Sequence, residues 1–309
     1  MEWLENFTTT SAESSKAEPG MISGRAWGAR MEWKTSMTLE DAARRAIAGD
    51  RDALNELVIA LQGDLFGLAL RMLFNREDAE DATQEIMIRI LTRLSQFDSR
   101  SKLKTWAYRV AVNYILDVKK SAKERMRLSF EQLAEDITAG LSQPDAPDAA
   151  QSLLVEEVKI GCSFAMLQCL DRKHRLAYIL GEIMEIPGPE AAEILEVSPE
   201  LLRKRLQVAR TTMLGFMTSY CGLASDVAAC KCNRHVPGLL HAGRIATGTY
   251  TFAAKPSSFE QTRAMVRQVE EARWAIQVHR TNHPRAASTD FARRLLQTLV
   301  TNRAPGLTV

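Results

Sequence analysis

The sequence predicts an all-α protein, and three observations support this prediction. Leu, Ala, Arg and Glu dominate the composition, while aromatic residues make up only 6%. Apolar residues recur at spacings of three and four over long stretches. The second half also contains a short helix, a three-residue connection and a longer helix. At 309 residues the chain is long enough for about two or three compact units.

Changes in composition divide the chain into five segments. The N-terminus is rich in Ser, Thr, Gly and Glu without a helical period, and prolines with acidic residues interrupt the middle of the chain. The predicted segments are a disordered extension over 1–36, a helical domain over 37–125, a flexible linker over 126–152, a second helical domain over 153–220, and a C-terminal extension over 221–309 with helices at about 258–280 and 288–301.

Net charge and apolar runs narrow the class of protein. The formal net charge of +2 means that any surface for nucleic acid must be local. We find no stretch approaching the roughly 20 apolar residues that cross a bilayer, and no basic-then-apolar secretory signal. We therefore expect a cytoplasmic protein, in which the five cysteines are thiols or metal ligands and not disulfides.

The first helical domain has an apolar core stripe and two polar helices of different character. Leu54, Leu57, Val58, Leu61, Leu65, Leu68 and Met72 form the stripe. The helix over 78–91 begins with carboxylates, so it would dock a basic protein surface or simply favour its own N-terminus.

The next helix, over 104–120, combines aromatic, amide and basic groups. Trp106, Arg109, Asn113 and Lys120 share one face, a mixture that suits unstacked bases of melting DNA. An equally good interpretation is that Trp106 and Tyr108 pack in the core and that Asn113 makes a local hydrogen bond.

A helix-turn-helix is predicted near residue 200. A short helix over 189–195 precedes the connection 196–198, and a second helix runs over 199–214, with Ser198 as its cap and Pro199 in its first turn. The apolar face of the second helix carries Leu202, Leu206, Ala209 and Met213, and its polar face carries Glu200, Arg203, Lys204, Gln207 and Thr211. This division is typical of a recognition helix, and the preceding helix and turn favour that over a merely solvated basic face.

Three segments in this order resemble extracytoplasmic-function sigma factors of the sigma-70 family. Residues 78–88 are similar to the second region, 97–121 to the promoter-melting segment and 172–214 to the fourth-region helix-turn-helix. Glu196 departs from the pattern, since that turn often carries Gly, and so does the entry over 186–189 with its two prolines.

The resemblance implies partners and a role for each site. The partners would be core RNA polymerase, promoter DNA and an anti-sigma factor. Asp78, Asp81, Gln84 and Glu85 would bind the polymerase clamp. Phe97, Lys102, Lys104, Trp106, Arg109, Asn113 and Lys120 would engage the minus-ten element, and Glu200, Arg203, Lys204, Gln207 and Thr211 would read the minus-thirty-five element.

The C-terminal extension carries a Cys/His cluster. Cys221, Cys230, Cys232 and His235 follow a C-x8-C-x-C-x2-H pattern that could complete a tetrahedral structural zinc site. The spacing is not a standard zinc-finger signature, so redox-active thiols and incidental cysteines remain open. The helices beyond 258 could pack back on the sigma domains and regulate them.

Catalysis is not expected, because the sequence has no Gly-rich phosphate loop, no His-Glu-x-x-His and no clear nucleophile with its base. No cofactor is required. Two other functions stay open at this point. One is a free-standing helix-turn-helix regulator that binds an operator without polymerase, and the other is a metal- or redox-sensing interaction protein acting through its Cys-containing tail.

Overall fold

The computed structural model describes residues 38–118, 128–141, 149–248, 250–253 and 279–280. Within them the regular secondary structure is helical, apart from isolated bridge residues such as the pair Cys221 and Cys230. The all-α prediction is confirmed. The predicted N-terminal extension, Lys120, and the predicted helices at 258–280 and 288–301 lie outside the described residues, except for a helical fragment at 279–280.

Four helices form the first unit: α1 (Leu39–Ile47), α2 (Arg51–Leu73), α3 (Arg76–Thr92) and α4 (Leu103–Asp117). Polar caps mark the first three starts. Thr38 forms a capping box with Asp41, Asp50 accepts two first-turn amides of α2, and Asn75 accepts the amide of Asp78. These local signals set where each helix begins.

The central helix of this unit is α2. By length and composition it is apolar enough to cross a membrane, and half of its most apolar window is buried inside the protein. By that measure our prediction that no stretch is long and apolar enough to cross a bilayer was wrong. Helix α2 is so apolar because it packs on several sides. Its burial leaves four leucines nearly inaccessible, namely Leu57, Leu61, Leu65 and Leu68.

The second unit begins inside the segment predicted to be a flexible linker. Its helices are α5 (Phe130–Ala139), α6 (Ala149–Cys169), α7 (Arg172–Tyr178), α8 (Gly188–Ile194) and α9 (Pro199–Tyr220), with one π-helical turn over Ile179–Ile183. A short 3-10 turn (Cys232–His235) and α10 (Val236–His241) follow.

Helix α5 corrects the linker prediction for residues 128–141. Ser129 and Gln132 form a capping box, and Leu133, Ala134 and Ile137 are buried on one face. Of the signals that we interpreted as a linker, Glu135 and Asp136 lie inside this helix, and the prolines with their acidic neighbours follow it in the sequence.

The two units share one continuous core. Arg175 of α7 is 3% exposed, and its guanidinium donates to the carbonyl oxygens of Leu167 (2.9 Å), Gln168 (3.0 Å), Leu170 (2.9 Å) and, across the boundary, Met72 of α2 (2.8 Å). The side chain of Gln168 donates to Arg71 O at 3.0 Å. The described units are therefore packed together and hydrogen bonded.

Candidate nucleic-acid interface

The recognition helix begins where the sequence predicts. The Oγ of Ser198 accepts the amide of Leu201 at 3.2 Å, and Pro199 occupies the first turn of α9. The helix then continues to Tyr220, six residues beyond the predicted end at Leu214. Phe216 and Met217 are buried, so the apolar face extends with it.

The two faces of α9 divide as predicted. Leu202, Leu206, Ala209 and Met213 are buried. The predicted reading residues are all exposed, namely Glu200, Arg203, Lys204, Gln207 and Thr211. This face therefore presents charged and hydrogen-bonding side chains of the kind that reach base edges and phosphates.

The turn before α9 keeps its geometry without glycine. Glu196 has φ 52°, in the left-handed region, which costs a non-glycine residue about 1–2 kcal/mol. The amide of Glu196 donates to Glu193 O (3.2 Å) and that of Val197 to Ala192 O (3.0 Å). These hydrogen bonds hold the turn. Glu at the position where Gly is frequent therefore adds backbone strain, and the turn still forms.

The start of α4 is anchored from α1. Glu40 accepts the amide of Leu103 at 2.9 Å, and this hydrogen bond lowers the pKa of the Glu40 carboxyl. Phe97 and Trp106 lie with ring centroids 5.7 Å apart, both half-buried against the core. Trp106 is thus partly a packing residue, while Asn113 on the same helix is exposed.

The cations of the predicted minus-ten surface are paired with acids. Lys102 Nζ lies 2.5 Å from Glu190 and Arg109 Nη2 lies 2.6 Å from Glu193, both on α8. Glu190 raises the pKa of Lys102. The structure therefore brings this surface against the first helix of the helix-turn-helix.

Lys104 is held by a group that the sequence analysis did not single out. Asp64 of α2 lies 2.6 Å from Lys104 Nζ and accepts the hydroxyl of Tyr108 at 3.0 Å. Burial raises the pKa of Tyr108, so its hydroxyl stays a donor. The only sequence signal was the i, i+4 spacing of Lys104 and Tyr108 on one helix.

The predicted polymerase-binding residues line one side of α3. Asp78 and Asp81 are exposed, whereas Gln84 and Glu85 are half-buried. Glu85 pairs with Arg89 at 3.0 Å, and the Arg89 guanidinium lies 4.5 Å from the centre of the Tyr114 ring. The open acidic surface is thus the N-terminal part of α3.

The Cys/His segment folds against α6. Cys230 Sγ lies 3.3 Å from His235 Nε2, and burial raises the pKa of the Cys221, Cys230 and Cys232 thiols and lowers that of His235 to about 4. In the part of the chain that the structure describes, no three or more Cys, His, Asp or Glu side chains are arranged to hold a metal ion. The zinc site stays a prediction.

One cysteine of this neighbourhood was missed. Cys162 of α6 is close enough to Cys221 and Cys232 for their thiols to add to the effect of burial, which raises the pKa of Cys162 well above its ordinary value. It lies 59 positions before Cys221 in the sequence, so the spacing of the tail cysteines gave no hint of it.

Comparison with known proteins agrees with this architecture. Residues 57–125 match the model of Sigma-70 region 2. The chain is 26% identical to the ECF RNA polymerase sigma factor SigW of Bacillus subtilis over 178 residues, and this alignment covers 57% of this chain and 95% of the relative. It is 28% identical over 180 residues (58% and 95%) to the RNA polymerase sigma factor NccH of Alcaligenes xylosoxydans xylosoxydans, and 27% identical over 176 residues (56% and 91%) to the ECF RNA polymerase sigma-E factor of Escherichia coli K12.

The described residues combine a helical bundle that carries a mixed aromatic and basic helix with a helix-turn-helix that has an exposed basic face. The matches connect this combination with transcription initiation factors. The chain is thus similar to RNA polymerase sigma factors of the sigma-70 family, extracytoplasmic-function members among them, over 56–58% of its length.

Proposed function

We propose that this protein binds core RNA polymerase and directs it to promoters, where it contributes to DNA opening. The single observation that carries the proposal is the match to Sigma-70 region 2 over the bundle that contains α3 and α4. The exposed basic face of α9 supplies the second DNA-binding surface in the same chain. We assign the protein to the cytoplasm, where polymerase and promoter DNA are found.

The two surfaces have different tasks in this proposal. Arg203, Lys204 and Gln207 on α9 read the upstream element in duplex form. Trp106 and Asn113 on α4 hold unpaired bases of the downstream element, the aromatic ring by stacking and the amide by hydrogen bonding. In this proposal binding energy drives promoter recognition and strand separation. No covalent bond is made or broken, and no catalytic residue is needed.

The third contact is with polymerase. The exposed carboxylates Asp78 and Asp81, followed by Gln84 and Glu85, would dock on the clamp of the largest subunit. A carboxylate surface repels DNA phosphates and attracts a basic protein surface, so α3 and α4 divide protein and DNA contacts between them.

The test is transcription in vitro with purified protein, core polymerase and the promoter upstream of the gene's own operon. We expect transcripts that core polymerase alone does not produce, and co-elution of the protein with core. A protein that binds operator duplex tightly by itself and leaves core polymerase inactive would be a free-standing regulator and would contradict the proposal.

The α4 surface makes a separate prediction. Replacing Asn113 with Ala, or Trp106 with Ala, should lower open-complex formation by about tenfold, because one base contact of about 1–3 kcal/mol is lost. Reactivity of unpaired thymines to permanganate measures opening, and a gel shift at low temperature measures initial binding.

The exposed Leu116→Ala on the same helix is the control for this pair. Since Trp106 is half-buried, Asn113→Ala is the variant that isolates the base contact from packing. If initial binding falls as much as opening, the role of α4 in melting is wrong.

A further inference from the structure

The contact between the two DNA-reading units covers groups that the proposed function needs. Lys102 and Arg109 of α4, both predicted to engage DNA, are paired with Glu190 and Glu193 of α8. These carboxylates occupy the position at which phosphates would neutralise the same cations. In this arrangement an acidic helix of one unit neutralises two cations on the basic face of the other.

In the same arrangement the two DNA-binding surfaces lie too close together to reach both promoter elements. Elements centred near minus ten and minus thirty-five are about 25 base pairs apart, which at about 3.4 Å a base pair is roughly 85 Å of duplex. Helices α4 and α8 instead lie within ion-pair distance, and α9 follows α8 after a four-residue turn. The structure is therefore a closed state that must open before both elements are bound.

A short piece of the C-terminal extension is inserted at the boundary of the units. The Phe252 side chain is 3% exposed. Its ring stacks on Phe74, at the end of α2, with centroids 6.3 Å apart, and meets Phe164 of α6 edge-on at 5.2 Å. One aromatic side chain of the tail thus joins the first unit to the second.

The backbone around Phe252 is held from both units as well. The Glu157 carboxylate of α6 accepts the amides of Thr251 (2.8 Å), Phe252 (2.9 Å) and Ala253 (2.7 Å). From the first unit, Arg76 of α3 donates to Thr251 O at 3.3 Å. Glu157 is 2% exposed, and a carboxylate that far from water needs such donors. The site is therefore built to receive these tail residues.

A second tail fragment is buried against the second unit. His279 is 2% exposed, and its ring meets Tyr178 of α7 with centroids 5.5 Å apart. Burial, with a smaller effect of the Arg71 charge, lowers the pKa of His279 to about 3. Arg280 donates to Glu182 O at 2.5 Å and lies 2.6 Å from the Glu185 carboxylate. The first fragment therefore contacts both units, whereas the contacts of the second are with the second unit.

The contact between α4 and α8 needs such reinforcement. Its two ion pairs are partly exposed, and exposed pairs contribute about 0–1 kcal/mol each. Clefts of about 550 Å³ and 520 Å³ flank it, so the packing there is incomplete. Elsewhere along the boundary, Phe252 adds a buried aromatic contact to the hydrogen bonds that Gln168 and Arg175 make with α2.

We propose that residues 250–253 form a staple within the chain that helps to hold the two DNA-reading units closed, and that the staple must be released before the protein engages a promoter. The inference rests on the proposed function, since it assigns the α4 and α9 surfaces to DNA. It gives the C-terminal extension a regulatory task that the helix-turn-helix and the region 2 bundle do not perform themselves.

Two variants of the full chain test the staple. Phe252→Ala removes the ring between Phe74 and Phe164, and Glu157→Gln replaces the charged acceptor of three amides with a neutral one of the same shape. We expect both to enlarge the radius of gyration measured by small-angle X-ray scattering and to raise transcription at limiting protein by about fivefold or more, because a population shift raises the competent fraction. Phe252→Leu should restore most of the closed state.

The control is Val227→Ala, at a tail residue that is 92% exposed, and circular dichroism establishes that each variant is folded. Unchanged scattering and unchanged transcription in both folded variants would overturn the staple. If Phe252→Ala unfolds, Glu157→Gln alone decides between these outcomes. If the wild-type protein produces no transcripts, the proposed function is refuted. The scattering measurement uses neither DNA nor polymerase, so it still tests whether the staple holds the units together.

Discussion

Reversing two charges on the recognition helix, Arg203→Glu together with Lys204→Glu, is expected to lower affinity for the upstream promoter duplex by about 100-fold or more. A bidentate contact to a base is worth about 1–3 kcal/mol, and two added carboxylates repel the phosphates nearby. Both side chains are exposed on α9, so stability should change by less than about 0.5 kcal/mol. Fluorescence anisotropy of a labelled promoter fragment with the polymerase complex measures the loss.

The matched control reverses two exposed arginines elsewhere, Arg51→Glu with Arg93→Glu. It changes the net charge by the same amount but leaves α9 intact. We also expect the salt dependence to become shallower for the α9 variant alone, by about 0.9 in log–log slope for each phosphate contact removed. Equal losses in both double variants would mean that overall charge, and not this helix face, determines binding.

The parts of the fold that depend on local chemistry could be predicted from the sequence. The start of α9 depends on Ser198 and Pro199, adjacent residues whose effects act within one helical turn. Its division into faces depends only on a 3.6-residue period. Glu196 was identified as a departure through the family resemblance, since that turn often carries Gly, and its left-handed backbone is a finding of the structure.

The parts that depend on distant partners could not be predicted. Thr251 and Phe252 bind Glu157, 94 and 95 positions away, and the ring of Phe252 fits between two others that no periodicity links to it. Pairing of Arg109 with Glu193 joins residues 84 positions apart. Two cations of the surface predicted to bind DNA are consequently paired with acids of α8. These pairs depend on how the folded units pack, which a local sequence pattern does not reveal.

Replacing Arg175 with Leu should lower the free energy of unfolding by about 3–5 kcal/mol, because four carbonyl oxygens lose their donor at once. The guanidinium satisfies four carbonyl oxygens, and Leu can donate to none of them. Each buried carbonyl left without a donor costs about 1–3 kcal/mol, although water entering the gap would offset part of this. Urea unfolding followed by circular dichroism measures the change.

Arg172→Leu is the control, because Arg172 lies one turn earlier on α7 and also donates to carbonyl oxygens, those of Ile115, Leu116 and Val118. Arg172 is only half-buried, so water can replace its hydrogen bonds and the loss of unfolding free energy should stay near 1 kcal/mol.

Three of the four acceptors of Arg175 belong to α6 and its end, and only Met72 belongs to the first unit. Most of the stabilisation should therefore survive when the units separate, and a variant with Phe252→Ala should still lose about as much on Arg175→Leu. A much smaller loss in that background would mean that Arg175 mainly joins the units and does not hold the second unit together.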